Sequence, residues 1–138
     1  MPPAWQLGLT LRTGCVYKFA ERHLFSGEEH YFIVVNHSPL SDGLLFVVCT
    51  SNIDGARRLC SSQPKTLVEV LPGEYRELTL HTAINCNRLF AITLNEFTER
   101  YTREEVRECE QLPTKILARI IEAIQLSDQL SEEEKSLV

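Results

Sequence analysis

Two apolar runs constrain the fold of this chain more than any other feature. They are residues 31–36, YFIVVN, and residues 44–51, LLFVVCTS. Both are rich in aromatic and β-branched residues, show no polar stripe at helical spacing, and are too short for a core helix. Each therefore reads as a strand buried on both faces. Between them, HSPLSDG carries the proline, glycine and short polar side chains of a turn. Strands of this kind need neighbours on both edges and cover on both faces, so the chain is expected to build a sheet.

The surrounding pattern extends that sheet. GCVYKFA (14–20) reads as a first strand and AERHLFSGEEH (20–30) as a polar, glycine-containing loop. NIDGARRLCSSQPK (52–65) reads as a loop, TLVEVL (66–71) alternates like a strand, and PGE turns the chain. ELTLHTAINC (77–86) alternates more loosely, and RLFAITL (88–94) reads as a sixth strand. After residue 94 the period changes. Thr102 followed by Glu105 fits a capping box opening a helix over TREEVRECE. Pro113 suits the first turn of the next helix, where Ile116, Leu117, Ile120, Ile121 and Ile124 form one apolar stripe. That stripe is expected to pack on the sheet. Ser131 with Glu134 offers a cap for a last helical turn, with a frayed tail as the equal alternative.

The fold expectation is a single domain over residues 1–138, mainly β with C-terminal α. A small barrel, closed to remove its edges, spans about 12–96, helices about 102–127, and an acidic tail 128–138. The apolar fraction of 43% and charged fraction of 24% suit a globular core. No apolar run approaches the roughly 20 residues of a membrane span. The start, MPPAWQLGLTLRTG, lacks a basic region followed by an apolar one, so no secretory signal is expected. The five cysteines are scattered without a CxxC pair, which argues against a zinc site or a disulfide framework. Reduced thiols make a cytoplasmic location the default expectation. The net charge of −5 gives no bulk footprint for nucleic acid, although a local basic groove is compatible with it. Arg57, Arg58 and Lys65 form the densest local cluster before the helices.

The order and spacing of these pieces resemble the MazF/PemK family of toxin ribonucleases. Gly14-Cys15-Val16-Tyr17 is similar to the family's Gly-x-Val-Tyr or Gly-x-Ile-Trp opening strand. A loop and a buried strand follow, with HYFIVV where the family has RPxLVI. Cys49-Thr50-Ser51 is similar to its strand-end CTT or ITS, and LFAITLNEF stands where xRTID is found. The resemblance covers roughly residues 12–127. It implies an SH3-like barrel with a C-terminal helix. It also implies metal-independent, cofactor-free cleavage of single-stranded RNA, a homodimer, and a cognate antitoxin protein that blocks the RNA groove.

Cleavage of that kind uses the 2′-hydroxyl as nucleophile and needs a base, an acid and donors around the phosphorane. The resemblance maps the family's arginine onto His30 and its hydroxyl onto Thr50, with Ser51 beside it. Histidine exchanges a proton near neutral pH, whereas arginine is a permanent bidentate cation, so the replacement moves the chemistry toward proton transfer or abolishes it. The alternative is a catalytically degenerate barrel that binds protein. Asn85 and Asn87 stand where some members use arginine and aspartate, and asparagine can hydrogen-bond but cannot act as a base. Arg22, His23, Arg57 and Arg58 complete the candidate substrate contacts. Each has a bland counterpart: His30 as a loop-to-strand surface residue, Thr50 and Ser51 as backbone-bonding hydroxyls, and Arg57 and Arg58 as a solvated pair. His23 reads as exposed loop, His37 as a turn residue and His81 as sheet surface. Trp5 is expected to tuck its ring onto the barrel.

Overall fold

A computed structural model describes residues 2–21 and 27–138. The strands are β1 (Val16–Ala20), β2 (Glu29–Val34), β3 (Leu44–Thr50), β4 (Leu67–Val70), β5 (Thr82–Asn85), β6 (Phe90–Ile92) and β7 (Arg107–Glu108). The helices are α1 (Ala4–Thr10), α2 (Pro39–Asp42), α3 (Ile53–Leu59), α4 (Leu94–Thr102), α5 (Thr114–Leu126) and α6 (Glu132–Ser136). All strand pairs are antiparallel, in the order β4-β5-β3-β2-β1-β7, with β6 also on β3. The class is mixed α/β rather than mainly β, because helices carry much of the chain.

The double-sided burial of β2 follows from alternation. Phe32 and Val34 join Tyr17, Phe19, Phe46, α1 and α4 on one side, where Phe19 and Phe32 stack with ring centroids 3.9 Å apart. Ile33 and Val35 face the other side, with Val47, Val68, Ile84 and the α5 stripe. Ile116, Ile120, Ala123 and Ile124 of α5 are buried, while Leu117 and Ile121 sit at the margins. Full burial of each of the three isoleucines contributes about 1.5–3 kcal/mol. Helices thus cover both faces, which relieves the need for the sheet to curl onto itself. Among the described residues no ladder joins β4 to β7, so hydrogen bonding does not close a barrel.

Asn36 explains why the turn between β2 and β3 is firm. Its amide donates to Gly43 O at 2.7 Å and its Oδ1 accepts from Leu45 N at 3.0 Å. Gly43 needs its freedom there, with φ of 81°.

Several helix assignments differ from the sequence expectation. The segment expected as a loop after β3 contains α3, whose cap Asn52 accepts from Gly55 N. The helix expected from Thr102 instead ends there. Thr93 caps it by accepting from Glu96 N, and Phe97 with Tyr101 supply its buried side. Thr93-x-x-Glu96 is the same capping signal nine residues earlier, and the helix terminates where Glu104 takes a φ of 61°. Arg107 and Glu108 then pair with β1. Pro113 stands immediately before α5. Helix α1 has no counterpart in the expectation, and Trp5 on it is 64% exposed rather than tucked in. The Ser131/Glu134 capping box is formed. Among the described residues, no helix is long and apolar enough to cross a membrane.

Candidate active site

The site forms where β2 and β3 part. Their ladder ends at Phe32–Val48, two residues short of His30 and Thr50. Beyond that point β2 continues on β1, with Phe19 opposite His30, while Cys49 and Thr50 stay paired to β5. The wedge between the diverging strands is a cavity of about 300 Å³. Its lining includes His30, Thr50 and Ser51 together with Lys18, Tyr31 and Glu77. Residues twenty apart in sequence are thereby brought to one opening.

His30 is half-buried, and its Nδ1 lies 3.1 Å from Glu28 O. A carbonyl can only accept, so this contact requires the proton on Nδ1, and the neutral ring carries its lone pair on Nε2. Thr50 Oγ1 accepts from Asn52 N at 3.1 Å, which leaves its own hydroxyl hydrogen to donate elsewhere. Ser51 is exposed. Cys49 also borders the cavity, but burial pushes its thiol up to about 12, so it is no thiolate nucleophile near neutral pH.

Lys18 is the cation that sequence reasoning passed over. It pairs with Tyr31 across the strands, and its Nζ sits 5.0 Å from the Tyr31 ring centroid. The available signal was a lysine on the strand face that Val16 shares, within an otherwise apolar strand. Three carboxylates oppose it at the cavity: Glu28, Glu29 and Glu77. Glu77 is the most compensated, bonded by Arg107 Nη1 at 3.5 Å and by Glu110 N at 3.0 Å. Glu28 and Glu29 are exposed.

The remaining candidates separate. Arg57 is committed to Glu69, with bonds of 2.8 and 3.1 Å, and His81 Nε2 meets the same carboxylate at 2.8 Å. That ion group holds the Glu69 carboxyl below its ordinary range, chiefly through the Arg57 hydrogen bond. Arg57 does not line the cavity at His30. Asn87 is a correction: it is only 6% exposed and cannot reach substrate. Its amide donates to Thr66 Oγ1 at 2.7 Å and Asn85 Oδ1 at 3.0 Å, and its Oδ1 accepts from Ser127 Oγ at 2.6 Å. Asparagine at 87 is thus a structural hub joining the turn before β4, the end of β5 and the end of α5. His37 bonds Ser38 Oγ and Ser136 O, so it ties the turn to α6. Arg22 and His23 lie outside the described residues.

A second cavity, about 500 Å³, lies on the other side of Thr50, under α3. Arg58 and Asn85 line it, with Arg88, Val48, Leu59 and Phe90. Among the described residues, no group of three His, Cys, Asp or Glu side chains is placed to hold a metal ion. No protein-family model matches the sequence, and the comparison with curated proteins found no match.

Proposed function

We propose that this chain is a MazF/PemK-type endoribonuclease that cleaves single-stranded RNA without metal, with an SH3-like sheet as its scaffold. The observation that carries the reading is the shared cavity of His30, Thr50 and Ser51 at the parting of β2 and β3. In the proposed step His30 Nε2 takes the proton of a ribose 2′-hydroxyl. The 2′-oxygen bonds to phosphorus and the bond to the 5′-oxygen breaks; the departing 5′-oxygen takes a proton from water, leaving a cyclic phosphate and a 5′-hydroxyl, and the protonated His30 returns its proton to solvent. Thr50 and Ser51 donate to the phosphoryl oxygens, and Lys18 supplies the fixed charge that arginine would otherwise provide. The family resemblance extends the proposal to a cytoplasmic homodimer neutralised by an antitoxin protein. The decisive assay is incubation of purified protein with a broad panel of single-stranded RNAs in EDTA. Cleavage is expected, and His30→Ala should slow it by about 100-fold or more. Absence of cleavage, or cleavage indifferent to His30→Ala, refutes the reading.

A second reading is favoured by Glu28 and Glu29, whose charges repel phosphates at the cavity mouth. Here the scaffold is catalytically degenerate and binds a protein segment through the same opening. A stable protein partner without RNA-dependent growth arrest supports it, whereas His30-dependent arrest on overexpression excludes it.

A further inference from the structure

We infer that the cavity under α3 is a binding site for a free nucleoside monophosphate, separate from the cleavage chemistry proposed at His30. Its volume of about 500 Å³ falls within the range of small-molecule pockets. Val48 and Leu59 give it an apolar lining, and Phe90 offers an aromatic surface for a planar ring.

Charge selects the ligand's other end. The chain has an excess of carboxylates, and six described arginines (57, 76, 100, 103, 107 and 119) are paired to them. Arg58 and Arg88 have no carboxylate partner among the described residues, and both line this cavity. Asp54, one helical turn before Arg58, makes no ion pair with it. No acidic residue appears in the lining. Two unopposed guanidinium forks beside one cavity match a dianionic phosphate, which each can bind in bidentate fashion.

Polar groups at the cavity favour a nucleobase over a hydrocarbon ring. Asn85 Oδ1 already accepts from Asn87 N at 3.0 Å and from Asn87 Nδ2 at 3.0 Å, while its own Nδ2 donates to nothing in the described residues. That amide can bond a base edge, as the phosphate meets the arginines.

The test is titration of the full chain with the common ribonucleoside 5′-monophosphates, the matching nucleosides, and inorganic phosphate. At least one monophosphate should bind, with the nucleoside and phosphate each at least about 10-fold weaker. The double change Arg58→Gln and Arg88→Gln should abolish binding, and Phe90→Leu should weaken it. Arg12→Gln removes an arginine outside the cavity and should leave affinity unchanged. The inference is overturned if no monophosphate binds in the millimolar range, or if phosphate alone binds equally well. It is also overturned if the double variant binds normally. Tighter, arginine-dependent binding of an uncleavable oligodeoxynucleotide would overturn the free-ligand assignment in favour of a chain nucleotide.

Discussion

Replacing Asn87 by alanine distinguishes a structural residue from a substrate contact. The side chain makes three bonds to oxygen or from a hydroxyl: to Thr66 Oγ1, to Asn85 Oδ1, and from Ser127 Oγ. At about 1 kcal/mol each, their loss costs about 3 kcal/mol. Ser127 is fully buried, so its hydroxyl hydrogen is left without its acceptor and adds a desolvation penalty to that figure. Thr66 is buffered, because its hydroxyl also donates to Gln63 O at 2.6 Å. The net expectation is a loss of about 3–4 kcal/mol, a large share of the roughly 5–15 kcal/mol typical of a domain. Urea denaturation followed by far-ultraviolet circular dichroism measures it directly. The only tryptophan, Trp5, is 64% exposed and would report poorly by fluorescence. Ser127→Ala should be less damaging, and the double variant should be less destabilised than the sum of the singles by about 1–2 kcal/mol. A loss below about 1 kcal/mol for Asn87→Ala, or strict additivity with Ser127→Ala, would refute the hub.

Two further outcomes test the scaffold around the sites. Gly14→Ala should destabilise by about 1–3 kcal/mol, because φ is 90° there and an added Cβ would collide with the Gln111 amide; an unchanged urea midpoint would contradict this. Glu69 has its carboxyl held below the ordinary value of 4.5 by Arg57 and His81. A lowered folded value contributes stability above the unfolded value and loses it as pH falls through the folded one. Stability should therefore decline below about pH 4.5 with a share that Glu69→Gln removes, read as a flatter acid limb in pH-dependent melting. An identical limb in the variant would show that the ion group contributes nothing.

The sheet was legible because its signals are local and strong. Residues 31–36 and 44–51 needed burial on both sides, and alternation alone then sent Phe32 and Ile33 to opposite faces. The α5 stripe was equally readable, since its apolar residues recur at one helical spacing. Helix α3 was not legible, because Gly55 and the polar Arg57-Arg58 pair dilute any period, and its stability rests on the Asn52 cap and buried Ala56. Helix α4 was misplaced since two Thr-x-x-Glu signals lie nine residues apart, and only the burial of Phe97 and Tyr101 decides between them. Barrel closure was expected from the edge problem, yet α1 and α4 on one face and α5 on the other supply cover that no strand pattern announces.

The site residues divided by the same logic. His30 and Thr50 meet because a register stops, and a stopped register is a property of three strands together rather than of either segment. Arg57 and Arg58 are adjacent in sequence and on α3, so they project in different directions around the helix. One reaches Glu69, and the other faces the cavity beside Arg88. Asn85 and Asn87 lie two apart, on either side of the end of β5, so one lines a cavity while the other is buried among Thr66 and Ser127. Spacing of one or two residues therefore separated candidates that their residue types alone had grouped. Lys18 follows from that rule in reverse. It is remote from His30 in sequence, yet the register that sets Phe19 opposite His30 sets Lys18 opposite Tyr31 on the other face of the strands, and both pairs border the same cavity through His30, Lys18 and Tyr31. In the proposed ribonuclease, a cation at that position supplies part of the phosphate attraction that an arginine at position 30 would give, and leaves His30 its proton chemistry.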